Sequence, residues 1–326
     1  MWDSNYFLSS TEDVTDRTAA IEQLLQQYGI CALGSGDYYV SGIKMPENST
    51  IMGMGSATRL ILAEGVTGGT VTMNSFCTVK DLCVTGAVIE PETPAEVGDR
   101  HGICYVGTAT PEYWGGQPRN IIISGCFITN FTGGGILLEG TGYNDTCSAV
   151  VSDCHILKCG AGVYIPFFSE YHKITNVLCH HCLYGCINNG GNNMFVNCGF
   201  TSNVTGFLMD NSHGRSKNNS HGSVVGCTFN HSGKNEGIGI QILGAKNGFI
   251  FTGCQMFYSK IIVEDSHGIV FDTFNFSRGM DISVKGGKLV MFSNCVFTEH
   301  PASVKRLEDA KLRFANCYTW DGEEVV

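Results

Sequence analysis

A short phrase built around cysteine returns along this chain and fixes the folds open to it. It reads GCTF at Gly226–Phe229, GCQM at Gly253–Met256, NCVF at Asn294–Phe297 and NCYT at Asn316–Thr319. Cysteines in the same context stand at Cys126, Cys154 and Cys198, while Val177 and Phe274 fill the two gaps. Positions 126, 154, 177, 198, 227, 254, 274, 295 and 317 are spaced 28, 23, 21, 29, 27, 20, 21 and 22 residues apart. A second strand-like segment, often opened by glycine, follows each phrase eight or nine residues later, as in GVYIP from Gly162, GCINN from Gly185 and GFLMD from Gly206.

A repeat of twenty-odd residues with short strands and no helix describes a solenoid, because one unit cannot bury its apolar face alone. Propeller blades need about 40 residues and four strands each, and leucine-rich repeats a leucine ladder with Asn. Neither pattern is present. The expected fold is all-β, a single-stranded right-handed parallel β-helix with coils roughly 4.8 Å apart. One amphipathic helix is expected over 15–29, with Ile21, Leu24, Leu25 and Tyr28 on its apolar stripe, Thr15 or Asp16 as cap and Gly29 as stop. It would cap the open N-terminal end of the coils. The whole chain, 1–326, is expected to form one domain: first coils over 30–89, a long loop excursion over 90–119 and regular coils over 120–320.

Cysteine in that repeat reads as an inward rung, since free cysteine is small, apolar and commonly buried. Stacked parallel positions point the same way, which suits disulfides poorly. The segment CHHCLYGC, Cys179–Cys186, invites a zinc reading, but no second pair at ligand spacing follows. Strand alternation is expected to send Cys179 and His181 one way and His180 and Cys182 the other. No metal and no cofactor is expected.

Charge and termini narrow the partners. A formal charge of −10 with 15% charged residues argues against nucleic acid. No stretch approaches the roughly 18 apolar residues of a membrane span. The N-terminal MWDSNYFLSSTEDVTD has neither a basic nor an apolar region of a signal peptide. With sixteen cysteines this suggests a reducing location, cytoplasmic or virion-associated.

The stretch from Asp16 to Leu62, with its helix, Gly36 and Tyr38, and Gly53 and Gly55, resembles the N-terminal signature of pectate-lyase-like β-helix proteins, above all phage tailspikes and polysaccharide depolymerases. The later coils match in repeat style. The resemblance implies the β-helix, a glycan substrate and a trimer, and it supplies no family-wide catalytic motif. No trimerisation domain is expected after the last coil, in Trp320–Val326.

Enzyme chemistry on glycans needs an acid and a base or nucleophile. Residues 210–236 concentrate such groups on two neighbouring loops. Asp210 and Glu236 are the expected acid/base pair, supported by His213 and His231, with Arg215, Lys217 and His221 as substrate contacts. The bland alternative is a solvated polar loop. Tyr113 and Trp114 in the excursion would stack on sugar faces. Beside the cysteine rungs, an outward column runs Phe127, His155, Leu178, Gly199, Thr228, Gln255, Asn275, Val296 and Tyr318, and His155 and Gln255 are its candidate glycan contacts. A second outward column, Leu137, Tyr164, Ile187, Leu208, Gln241 and Ile262, is mostly apolar. It marks either a homo-oligomer contact, a trimer by resemblance, or a surface covered by the excursion. The expected function is cleavage or rearrangement of a polysaccharide or oligosaccharide by hydrolase or lyase chemistry. The alternative is a non-catalytic glycan-binding or structural tail-fibre module.

Overall fold

A computed structural model describes residues 4–10, 14–87, 93–107, 119–140, 148–166, 169–212, 220–231, 237–278, 280–301 and 303–326. Within them every ladder between strands is parallel, and the chain winds as a right-handed parallel β-helix. Each regular coil contributes to three sheets. In one coil these strands are Asn193–Val196, Gly199–Thr201 and Thr205–Asp210. The next coil repeats them as Gly222–Val225, Thr228–Asn230 and Ile238–Leu243.

The turn between the first and second strands explains the repeated phrase. The residue before each rung is Gly125, Asp153, Asn176, Asn197, Gly226, Gly253, Thr273, Asn294 or Asn316, and all have φ between 50° and 63°. Gly, Asn and Asp enter this left-handed region at least cost. Their side chains also stack, with Asn197 Nδ2 donating to Asn176 Oδ1 at 2.7 Å and Asn176 Nδ2 to Asp153 Oδ1 at 3.1 Å. The following residue turns inward. Cys126, Cys154, Cys198, Cys227, Cys254, Cys295 and Cys317 are all buried, as are Val177 and Phe274. Each of these thiols lies near the carbonyl two residues before it, as Cys295 Sγ donates to Ser293 O at 3.2 Å. Cys227 Sγ also accepts the Cys198 N–H of the preceding coil at 3.2 Å. The Ser293 carbonyl already takes the Thr273 N–H at 3.0 Å, so the thiol is a second donor there, while the Cys198 N–H finds its acceptor in sulfur. The fifteen described cysteines are free thiols, and burial pushes Cys254 up to about 11 and Cys104 up to about 12.

Phenylalanine fills the C-terminal coils. Phe251, Phe271, Phe292 and Phe314 lie in register, and successive ring centroids are 5.1, 4.7 and 5.1 Å apart. One core cluster runs from Ile21 on the helix to Val325. The helix spans Thr18–Tyr28 and starts later than expected, because Asp16 is bridged to Tyr39 and takes the Thr18 N–H on its carboxylate at 2.8 Å. Ile21 and Leu25 close the core, and Gly29, at φ 69°, ends the helix. Tyr28 faces solvent instead of joining the stripe.

The long excursion is shorter than the sequence suggested. Arg100–Val106 is a strand of the third sheet, with Ile103 opposite Val71 and Ile136. Ile103 and Tyr105 face the core, and Gly102 and Cys104 are buried as well, so the strand is covered on both faces. Among the described residues of the remainder, Val97 lies over the second outward column. Val97 packs on a cluster with Ile187 and Leu208, and Leu137, Ile187 and Leu208 are only 4, 7 and 9% exposed. The register of that column is as expected, Leu137–Tyr164–Ile187–Leu208–Gln241–Ile262. Its apolar character is thus answered within the chain. No helix among the described residues is long and apolar enough to cross a membrane.

Candidate functional site

The coil has one tight corner and one generous corner. The generous corner joins the third sheet back to the first and absorbs much of the variation in coil length. In three successive coils it comprises 166–172, 189–192 and 211–221. Here the core gives way to buried polar side chains. His172 Nδ1 accepts the Ala149 N–H at 3.2 Å, and its Nε2 lies 2.7 Å from Ser169 Oγ, so the ring is the Nε2–H tautomer donating to the hydroxyl. Full burial pushes His172 down to about 3, which keeps it neutral. Asn193 holds three elements together: its Oδ1 accepts the His172 N–H, and its Nδ2 donates to Ser169 O and Asn188 Oδ1. Ser220 Oγ donates to Asn188 O at 2.7 Å and accepts from Asn211 Nδ2 at 2.8 Å. That pair closes the base of the loop between Ser212 and Ser220. Asn188 Nδ2 and Asn211 Oδ1 stay buried without a hydrogen-bond partner among the described residues.

Three groups with acid/base chemistry border this network. Glu170 and His221 come from coils two apart, and Gly191 occupies the coil between. A Cβ on Gly191 would stand 2.3 Å from His221 Cε1 and 2.6 Å from Glu170 Oε1, so the two side chains close over the glycine and would have to shift for anything larger. His221 Nε2 lies 4.0 Å from Glu170 Oε1, and the two side chains are 22 and 7% exposed. Asn192 Nδ2 donates to the other carboxylate oxygen at 3.4 Å. Asp210 ends its third-sheet strand beside Asn211, on the same coil as His221. Its backbone N–H is held by Asn189 Oδ1 at 2.8 Å, and its Oδ1 takes the Ser212 N–H at 3.0 Å. Asp210 and Glu170 stand two coils apart, roughly 10 Å along the axis.

Of the expected site residues, His213, Arg215, Lys217, Glu236, Tyr113 and Trp114 lie outside the described residues. Asp210 and His221 fall at the generous corner. His231 does not. It ends the second-sheet strand, and its ring packs on Gly237, where a Cβ would meet Nδ1 at 2.1 Å. Ile238 pairs with Thr205, five residues before Asp210, so His231 and Asp210 flank opposite ends of the third sheet, roughly 16 Å apart along a strand. His231 Nε2 is buried without a partner among the described residues, and burial lowers its pKa. His155 and Gln255 occupy the outward column of the second sheet in the expected register, four coils apart.

The CHHC segment needs a correction. The strand ends at His180, and His181 turns left-handed at φ 54°. The turn reverses the alternation, so Cys179 and Cys182 both point inward while His180 and His181 stay outside. Glu170 and its pairing with His221 were not legible in the sequence. FFSEYHK has no distinguishing pattern, and the signal lay in the Gly190–Gly191 pair one coil away.

The three-sheet coil with its capping helix makes the protein a right-handed parallel β-helix. Solved structures share this fold. The enzymatically active domain of bacteriophage CBA120 tailspike protein 2 matches with a TM-score of 0.53 and 16% identity, over 94% of this chain and 45% of that one. The catalytic unit of the GH87 α-1,3-glucanase from Streptomyces thermodiastaticus strain HF3-3 gives 0.61 and 13%, over 94% and 67%. The GH87 α-1,3-glucanase catalytic domain in complex with nigerose gives 0.59 and 12%, over 97% and 65%. The chain spans less than half of the tailspike domain, and at these identities the likeness is one of fold. No family model and no curated sequence matches the chain.

Proposed function

We propose that this β-helix binds a polysaccharide or oligosaccharide across its generous corner and cleaves or rearranges it by acid/base chemistry. One observation carries the reading: Glu170 and His221 close over Gly191, and Asp210 stands on the same coil as His221. The Glu170 carboxylate orients the imidazole, and His221 moves the proton. Asp210 is the second group. At roughly 10 Å along the axis it stands too far from Glu170 for the two to act as a retaining pair, whose carboxyls lie about 5–5.5 Å apart. His213, Arg215 and Lys217 fall between Ser212 and Ser220 and would contact the sugar from the loop. A glucanase catalytic unit and a tailspike's enzymatically active domain share the fold, which supports a glycan substrate, and a virion-associated setting fits the tailspike.

A glycan panel tests this by release of reducing ends and by absorbance near 235 nm, which only lysis of a uronate raises. Turnover that Glu170→Gln and Asp210→Asn each lower sharply supports the proposal. Binding with neither product supports the fibre module instead. A trimer is the proposed assembly, read out by sedimentation equilibrium.

A further inference from the structure

Far from that corner, two histidines aim at one point. His155 opens the second-sheet strand of its coil and stands opposite Leu178 of the next, so His180 is its diagonal neighbour on the same face. The ring centroids lie 4.6 Å apart with planes at 26°, and the two Nε2 atoms approach to 2.5 Å, so the rings meet edge to edge, nitrogen to nitrogen. Phe127 closes one side edge-on at 5.2 Å, and the His181 ring lies 5.0 Å from His180. Desolvation lowers both pKa values, and for His180 the neighbouring His155 and His181 add to it, so both rings are neutral near pH 7.

We propose that His155 and His180 form a binding site for a borderline divalent transition cation such as Cu²⁺, Ni²⁺ or Zn²⁺. Two neutral imidazoles facing each other share one proton, one Nε2 donating and the other accepting. A cation replaces that proton. The donating ring moves its proton from Nε2 to Nδ1 by exchange with water, so both Nε2 lone pairs face the metal with no net proton released and no electron transferred. Metal–nitrogen bonds of about 2.0–2.1 Å at a tetrahedral angle set the nitrogens roughly 3.3 Å apart. The pair must therefore open by less than about 1 Å, which small side-chain rotations provide on an outer face. Imidazole favours these borderline cations over Ca²⁺ or Mg²⁺, which take oxygen ligands. No group of three His, Cys, Asp or Glu is set to hold a metal among the described residues, so water completes the coordination.

The full chain titrated with Cu²⁺ tests the site by paramagnetic resonance, with Zn²⁺ titration calorimetry alongside. The expected result is one equivalent bound with coupling to two nitrogens. His180→Phe keeps a ring in place and removes the ligand, and His155→Phe does the same from the other side. Each should weaken binding at least tenfold while leaving the metal-free melting temperature within a degree or two, and His181→Ala should change binding less than threefold. Equal stoichiometry and affinity in wild type and His180→Phe would overturn the assignment, as would a wild type that binds no cation. Glycan turnover plays no part in this readout, so the two proposals fail separately.

Discussion

The two corners of one coil teach opposite lessons. Where the first sheet turns into the second, a left-handed residue and an inward rung recur for nine coils, and the left-handed residue is Gly, Asn or Asp in all but the coil of Thr273. Where the third sheet returns to the first, coils differ by several residues and bury Asn, Ser and His rather than Cys and Phe. The tight corner must satisfy backbone geometry at every step of the stack, so its chemistry is fixed by φ and by the space inside. The generous corner is closed by side-chain hydrogen bonds, which many sequences can supply, and it is free to carry carboxylates and a histidine.

That contrast makes the core stack the most sensitive point of the molecule. Phe271→Ala removes the middle ring of the Phe251–Phe271–Phe292 stack and should cost about 3–5 kcal/mol in chemical denaturation. A loss below 1 kcal/mol would mean the rings do not support one another from coil to coil. At the generous corner the larger effect should fall on activity. Glu170→Gln, which takes away the charge that orients His221, is expected to lower turnover on a responsive glycan about 10²-fold, with little change in melting temperature. If stability falls and turnover does not, Glu170 belongs to the wall and not to the chemistry.

Acid should separate the corners too. His172 sits near 3 in the folded protein and near its ordinary 6.5 when unfolded. Its contribution is fully present above pH 6.5 and declines as pH falls toward 3, because the unfolded state takes up the proton that the folded state refuses. The expected slope is about 1.4 kcal/mol per pH unit over that window, and His172→Phe should flatten it. The smallest effect is reserved for the tight corner. Asn197→Ala forces a Cβ-bearing residue without a turn-forming side chain into φ 52° and loses the bond to Asn176, for about 1 kcal/mol. Asn197→Gly should cost less, and equal losses would show that the Asn stack, not the left-handed backbone, selects the residue.

Much of the fold was legible because a solenoid writes its geometry locally. The spacing of the Cys126-to-Cys317 rungs gave the coil count and the outward columns, and the observed register matches those columns residue by residue. Two readings failed where alternation was broken. His181 turns left-handed, which put Cys182 inside with Cys179, and Arg100–Val106 joined a sheet although its flanks hid it. The site was far less readable. Asp210 and His221 could be named as polar loop residues, but nothing local joined His221 to Glu170, 51 positions earlier.

By itself the sequence determined the periodic part of this protein: inward rungs, parallel coils, a helix over the N-terminal end and thiols spent on packing. These follow from each residue's own size, polarity and tolerance of positive φ, repeated often enough to be read. Only the tertiary structure decided what covers the apolar column of the third sheet, which histidines converge on the second, and which carboxylate meets His221. Those depend on loops of unequal length being brought together by stacking, and stacking sets coils side by side at a distance that no count along the chain reveals.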